Sequence, residues 1–165
     1  MEADSVDRLL DQWRHERPEL DVAGLGLAVR IEMLAKLLQR TTAETLSEIG
    51  LKPWEYDVLS ALRRQGPPYE LPATGLAKAS LLTSGAMTTR IDHLEGQGLV
   101  RRTADPKDRR GVRVGLTAKG VRFVDNAIEA RFATAANNVA SLTVRERAAL
   151  ERGLRKLLLA LGPKT

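Results

Sequence analysis

A chain of 165 residues, 43% apolar and 28% charged, has the composition of one ordinary globular domain with arms. No apolar run approaches the roughly 18 residues of a membrane span, and the acidic start MEADSVDRLLDQW lacks the basic region of a secretory signal, so a cytoplasmic location without membrane contact is expected. Disulfides, thiol nucleophiles and thiolate metal sites are excluded because there is no cysteine, and with only His15 and His93 no metal or cofactor is implied.

Val6, Leu9, Leu10 and Trp13 recur at helical spacing and predict a short amphipathic helix from Ser5 to about Arg17, ended by Pro18. A longer helix is expected from about Asp21 to Glu44. Leu27, Ile31, Leu34 and Leu38 mark one face, widened by Leu20, Val29, Met33 and Leu37 enough to meet more than one neighbour. Pro53 suits the first turn of a third helix reaching Arg64, with Trp54, Val58, Leu59 and Leu62 inward and Gly66, Pro67 and Pro68 as its stop.

Two helical stretches separated by a tight turn follow, about Pro72 to Ala79 and Ser84 to Gln97. The second carries Met87, Ile91 and Leu94 at i, i+4 and i+7, with Thr83 as cap and Gly98 as terminator. The period then changes. Leu99 and Val100 begin a strand, RRTADPKDRRG supplies turn chemistry, and Val112, Val114 and Leu116 alternate as a return strand that must pack on the helices to persist. Thr117 can cap a helix from Ala118 to about Val139, and T-V-R-E places Thr143 and Glu146 as a capping box for the last helix. Leu150, Leu154, Leu157, Leu158 and Leu161 are too many for a free surface. They suit an intermolecular helical interface, or a helix pair closing the monomer core.

The formal net charge is +5, and its distribution is uneven. Between Arg101 and Arg113 stand Arg101, Arg102, Lys107, Arg109, Arg110 and Arg113 against only Asp105 and Asp108, a cluster that is either a solvated hairpin or a polyanion contact. The order of three helices, turn, helix, strand, basic hairpin and strand reads as a winged helix-turn-helix, mainly α with a small β-wing. The major groove admits a helix, and the narrow minor groove accepts an extended basic tip. Off the buried stripe of the helix from Ser84 lie Ser84, Thr88, Thr89, Asp92 and His93. The hydroxyls suit base edges or phosphates, and His93 is a further candidate DNA contact.

The run LLTSGAMTTRIDHLEGQGLVRRTADPKDRRGVRVGLTAKG, Leu81 to Gly120, resembles the recognition helix and wing of the MarR transcriptional regulators. The likeness includes D-x-R at Asp108 to Arg110 and L-T-x-x-G at Leu116 to Gly120, and it extends over nearly the whole chain. It implies a homodimer through the N- and C-terminal helices, with Leu27, Leu154 and Leu158 at the interface, on pseudo-palindromic double-stranded operator DNA. Residues 1–48 would be the arm with dimerisation and ligand-side helices, 49–117 the DNA-binding domain and 118–165 the C-terminal dimerisation helices. By resemblance Arg110 enters the minor groove, Asp108 holds it, and Lys107 and Arg109 meet phosphates. Asp108 with Arg110 as a plain exposed ion pair is the alternative. Leu51 and Lys52 depart from the family's usual Leu-Thr or Leu-Ser, so the cap before Pro53 is unusual.

Family members commonly repress genes and release DNA when a small aromatic or anionic compound binds. Trp13, Asp57 and Arg90 are similar to the residues lining the purine site of urate-responsive repressors. Trp13 would stack on a planar ligand, Arg90 would pair with its anionic form, and Asp57 would be displaced from an internal ion pair. The competing reading leaves Trp13 as a packing anchor and Asp57 and Arg90 as a structural pair or as residues that do not meet. An enzyme is not expected: Gly24-Leu25-Gly26 lacks the rest of a dinucleotide fingerprint, and no nucleophile and base stand out. A helical interaction module, and a ligand-independent regulator or activator, are the other classes.

Overall fold

Capping chemistry and two breaks in hydrophobic period divide the chain into α1 (Ser5–Glu16), α2 (Ala23–Glu48), α3 (Pro53–Arg63), β1 (Glu70–Pro72), α4 (Ala73–Ala79), α5 (Ser84–Gly96), β2 (Val100–Asp105), β3 (Asp108–Leu116), α6 (Ala118–Asn138) and α7 (Val144–Leu161). The computed structural model describes residues 3–79, 84–106 and 108–162, without the side chains of residues 78, 79, 84, 109 and 110. The Thr83 cap therefore lies outside the described residues. Among them no helix is long and apolar enough to cross a membrane. Two compact units result, Met1–Glu44 and Thr45–Thr165.

In the first unit, the Asp4 carboxylate accepts the Val6 and Asp7 backbone N–H groups at 2.8 and 2.9 Å, and Asp7 in turn accepts the Asp4 N–H at 2.9 Å. This reciprocal cap starts α1. Arg30 of α2 then donates to Asp4 at 2.8 Å and to Asp7 at 2.6 Å, tying the two helices at their polar rim. Beneath it Val6, Leu10 and Val22 are buried against Leu9 and Val29. A Cβ on Gly26 would stand 2.7 Å from a Leu10 methyl, so the glycine admits the close approach of α1.

The Arg30 hydrogen bond, with the Asp7 backbone N–H second, lowers the Asp4 pKa to about 2. A depressed carboxylate stabilises the fold above its ordinary pKa, and the contribution disappears as pH falls through the folded value. Asp4→Asn is therefore expected to melt lower than the native protein at neutral pH. That gap should close as the pH is lowered from about 4 to about 2. A gap that persists unchanged at pH 2 would show that the ion pair does not hold α1.

The second unit is built on one core. Leu46, Val58, Leu59, Leu62, Leu76, Val114 and Val124 pack with the α5 stripe Met87, Ile91 and Leu94, all essentially inaccessible. The i, i+4, i+7 stripe thus fixes the rotation of α5. Its end is a Schellman turn: Leu99 N–H reaches the Leu94 carbonyl and Gly98 N–H the Glu95 carbonyl, with Gly98 at φ 70°. Arg63 of α3 donates to Asp125 of α6 at 2.7 Å, and its guanidinium lies 4.7 Å from the Tyr69 ring centroid.

The sheet is antiparallel in the order β1-β3-β2. Its third strand is a feature that sequence reasoning did not find: Glu70, Leu71 and Pro72 pair with Gly115, Val114 and Arg113. Pro72, expected to open a helix, ends this edge strand instead, where a missing N–H is tolerated. The fold is otherwise the expected mainly α winged helix-turn-helix. The last helix does not close the core, because none of its residues is buried.

Candidate nucleic-acid interface

With Met87, Ile91 and Leu94 inward, α5 presents Gly85, Ala86, Thr88, Thr89 and Asp92 on its exposed side. The Thr89 hydroxyl donates to the Gly85 carbonyl at 3.3 Å, one turn back along its own helix. Ser84 opens the helix, and its side chain lies outside the described residues.

His93 turns toward α3. Its Nε2 is 2.8 Å from a carboxylate oxygen of Glu55, which is buried, and its ring centroid is 5.5 Å from that of Trp54. The side chain expected at the DNA is thus engaged by the scaffold helix. The other Glu55 oxygen accepts the Lys52 backbone N–H at 2.7 Å. Lysine has no acceptor with which to cap α3, and Glu55 at the third helical position supplies half of a capping box in its place. Glu55 therefore both starts α3 and ties it to α5. Its place three residues after Lys52 was the signal that would have found it.

Arg90 lies with its guanidinium 5.1 Å from the Trp54 centroid, a cation–π contact. Among the described residues it forms no ion pair with Asp57, whose backbone carbonyl accepts the Ser60 hydroxyl at 3.3 Å. Trp13 belongs to the first unit and is exposed there.

The wing uses half of its basic cluster internally. Arg102 donates to Asp92 at 2.5 Å and to Glu95, both on α5, and its backbone N–H reaches Glu95 at 3.1 Å. Burial opposes the charge on Arg102, but the two carboxylates outweigh it and raise its pKa. Glu70 accepts from Arg101 at 2.8 Å and pairs with Arg113 at 3.5 Å. Asp105 pairs with Arg113 at 3.6 Å. Three arginines that look like polyanion contacts when charges are counted along the chain are thus held by acids. Asp108, exposed, opens β3 opposite Asp105. Lys107 and the side chains of Arg109 and Arg110 lie outside the described residues. No group of three or more His, Asp or Glu among the described residues is placed to hold a metal ion.

A family profile described as MarR family matches residues 49–111. The chain is 32% identical over 124 residues, 75% of each chain, to the HTH-type transcriptional regulator PecS of Dickeya dadantii. It is 30% identical to the HTH-type transcriptional repressor NicR of Pseudomonas putida, over 76% of this chain and 80% of that one. Among solved structures, a MarR variant from E. coli complexed with operator DNA superposes with a TM-score of 0.69 at 26% identity, covering 88% of this chain and 97% of the other. With an anchored recognition helix, a three-stranded wing and these relatives, the chain belongs to the MarR family of DNA-binding transcriptional regulators.

Proposed function

We propose that the protein acts as a homodimer on a pseudo-palindromic operator, repressing transcription until a planar, anionic small molecule releases it, with urate or another purine as the first candidate. The observation that carries the DNA reading is α5 itself: its apolar stripe is locked in the core, leaving the short hydroxyl side chains of Thr88 and Thr89 exposed on the opposite face. Ser84, Thr88 and Thr89 are the proposed groove-facing residues. Lys107, Arg109 and Arg110 are the proposed wing contacts, with Asp108 orienting Arg110. Repression is favoured by the likeness to NicR, a repressor by its description.

The effector reading rests on the resemblance in Trp13, Asp57 and Arg90, and is supported by Arg90. That arginine has an aromatic partner but no carboxylate partner among the described residues, an arrangement suited to a planar anion. Leu27, Leu154 and Leu158, exposed in the single chain, are the proposed dimer contacts.

Thr88→Ala and Thr89→Ala are expected to weaken binding to the operator by about fivefold to tenfold each, with little change on a random duplex. Fluorescence anisotropy on both duplexes measures this. Equal losses on the two would remove these threonines from base reading. In the same assay urate should release the native protein, and Arg90→Gln should bind DNA but ignore urate. Native complexes indifferent to urate would eliminate it as the effector.

A further inference from the structure

Successive side chains of a strand point to opposite faces. On β3, Val112, Val114 and Leu116 take one face, where Val114 and Leu116 are buried. Gly111, Arg113 and Gly115 take the other, so a single arginine stands between two glycines.

The register places Glu70 of β1 and Arg101 of β2 on either side of Gly115. A Cβ on Gly115 would lie 2.6 Å from the Glu70 Cγ and 3.0 Å from its Oε1. The glutamate therefore crosses the strand through space that any other residue would fill. From there it reaches Arg101 on one side and Arg113 on the other, at 2.8 and 3.5 Å. The pattern recurs toward the turn. A Cβ on Gly111 would lie 2.9 Å from the Cβ of Asp105, whose carboxylate is 3.6 Å from Arg113, and 3.0 Å from the Cβ of Asp108 across the turn. Charges thus alternate along the ribbon as Arg101, Glu70, Arg113 and Asp105. Side-chain exposures of 14% for Glu70, 10% for Asp105 and 27% for Arg113 leave these pairs less screened by solvent than ordinary surface pairs.

A narrow ribbon has little intrinsic rigidity, and ordering it at the moment of binding opposes affinity. We propose that Arg113 is a positioning residue: it does not contact DNA, but with Glu70 and Asp105 it sets the course of the hairpin so that the basic turn arrives ready to bind. The inference rests on the reading that the wing turn touches DNA. It assigns Arg113, which charge counting groups with the DNA contacts, to the inside of the device, and it explains Gly115.

The test uses the full-length protein and a duplex recovered by in vitro selection on the native protein, with anisotropy across a salt series. Glu70→Gln is expected to weaken binding about fivefold although it removes a negative charge near DNA, whereas simple electrostatics would tighten it. Gly115→Ala, which keeps every charge but displaces Glu70, should weaken it likewise, and so should Arg113→Gln, with Arg113→Lys partly restored. All should keep the native salt dependence. Arg110→Ala, the reference, removes a cation that the wing reading places in the minor groove between the two phosphate backbones, and should make the fall of log K with log salt shallower by up to about one.

Glu70→Gln binding as tightly as the native protein or more tightly would overturn the proposal, as would Arg113→Gln losing salt dependence like Arg110→Ala. If Arg110→Ala weakens binding while the other variants bind natively, the ladder alone fails. If Arg110→Ala has no effect, the wing-contact reading fails and takes the proposal with it.

Discussion

Replacing Leu154 and Leu158 together by aspartate is expected to give a folded monomer that binds the operator about 10²–10⁴-fold more weakly than the native protein. The two residues are one helical turn apart on α7, a helix with no buried residue, and are 37% and 74% exposed. Leu159 and Leu161 beside them are also exposed, an apolar surface that a lone soluble chain does not ordinarily present. Two carboxylates placed in such an interface would have to be buried unpaired or would keep the chains apart. Because neither residue belongs to the buried core of its own chain, thermal unfolding of the monomeric variant should still be cooperative. Sedimentation equilibrium reads the assembly directly, and an unchanged dimer would reject α7 as the contact. The loss on DNA follows from geometry: a dimer engages two half-sites, and a monomer forfeits the effective concentration that the first contact confers on the second.

Gly120→Ala is expected to destabilise the fold by more than about 3 kcal/mol. A Cβ at that position would lie 2.0 Å from the Leu99 carbonyl oxygen, a backbone atom that cannot swing aside. The same oxygen accepts the Thr117 N–H at 3.0 Å, and the Thr117 hydroxyl donates to the Gly98 carbonyl at 2.7 Å. In turn that hydroxyl accepts the Gly120 N–H at 3.0 Å to cap α6. An alanine must therefore separate α6 from the junction of α5 and β2, and the cap goes with it. Urea denaturation measures the difference, and Gly24→Ala is the control. Gly24 is helical with nothing near its missing Cβ, so alanine there should be neutral or stabilising by up to about 1 kcal/mol. Equal stability of the two variants would contradict the close approach at Gly120.

Much of this architecture was legible because its signals are local. Met87, Ile91 and Leu94 announce a helix face within eight residues, Thr143 and Glu146 a cap within four, and Gly98 a stop at one position. The L-T-x-x-G run was recognisable by likeness, but its physical reason was not, since the atom that demands Gly120 belongs to Leu99.

What escaped sequence reasoning was brought together by folding. β1 is three residues long and carries no alternation, and its partners lie more than 40 positions away on β3. The acids that occupy Arg101 and Arg102 come from Glu70, Asp92 and Glu95, so a count of charges from Arg101 to Arg113 overstates what is available to DNA. His93 looks like a groove residue by helical position, yet the buried carboxylate of Glu55 is aimed at it. The second helix was expected to end at Glu44 and continues to Glu48, because no breaker precedes Gly50 and Leu46 is fully buried in the core.

Sequence-selective recognition of duplex DNA is the property on which the proposed function depends. Fluorescence anisotropy of the native protein, on a duplex it has itself selected and on a length-matched random duplex across a salt series, tests it most directly. A preference of about 10³-fold or more for the selected duplex, with affinity on both falling steeply as salt rises, is the predicted result. Equal affinity for the two duplexes at every salt concentration would contradict it.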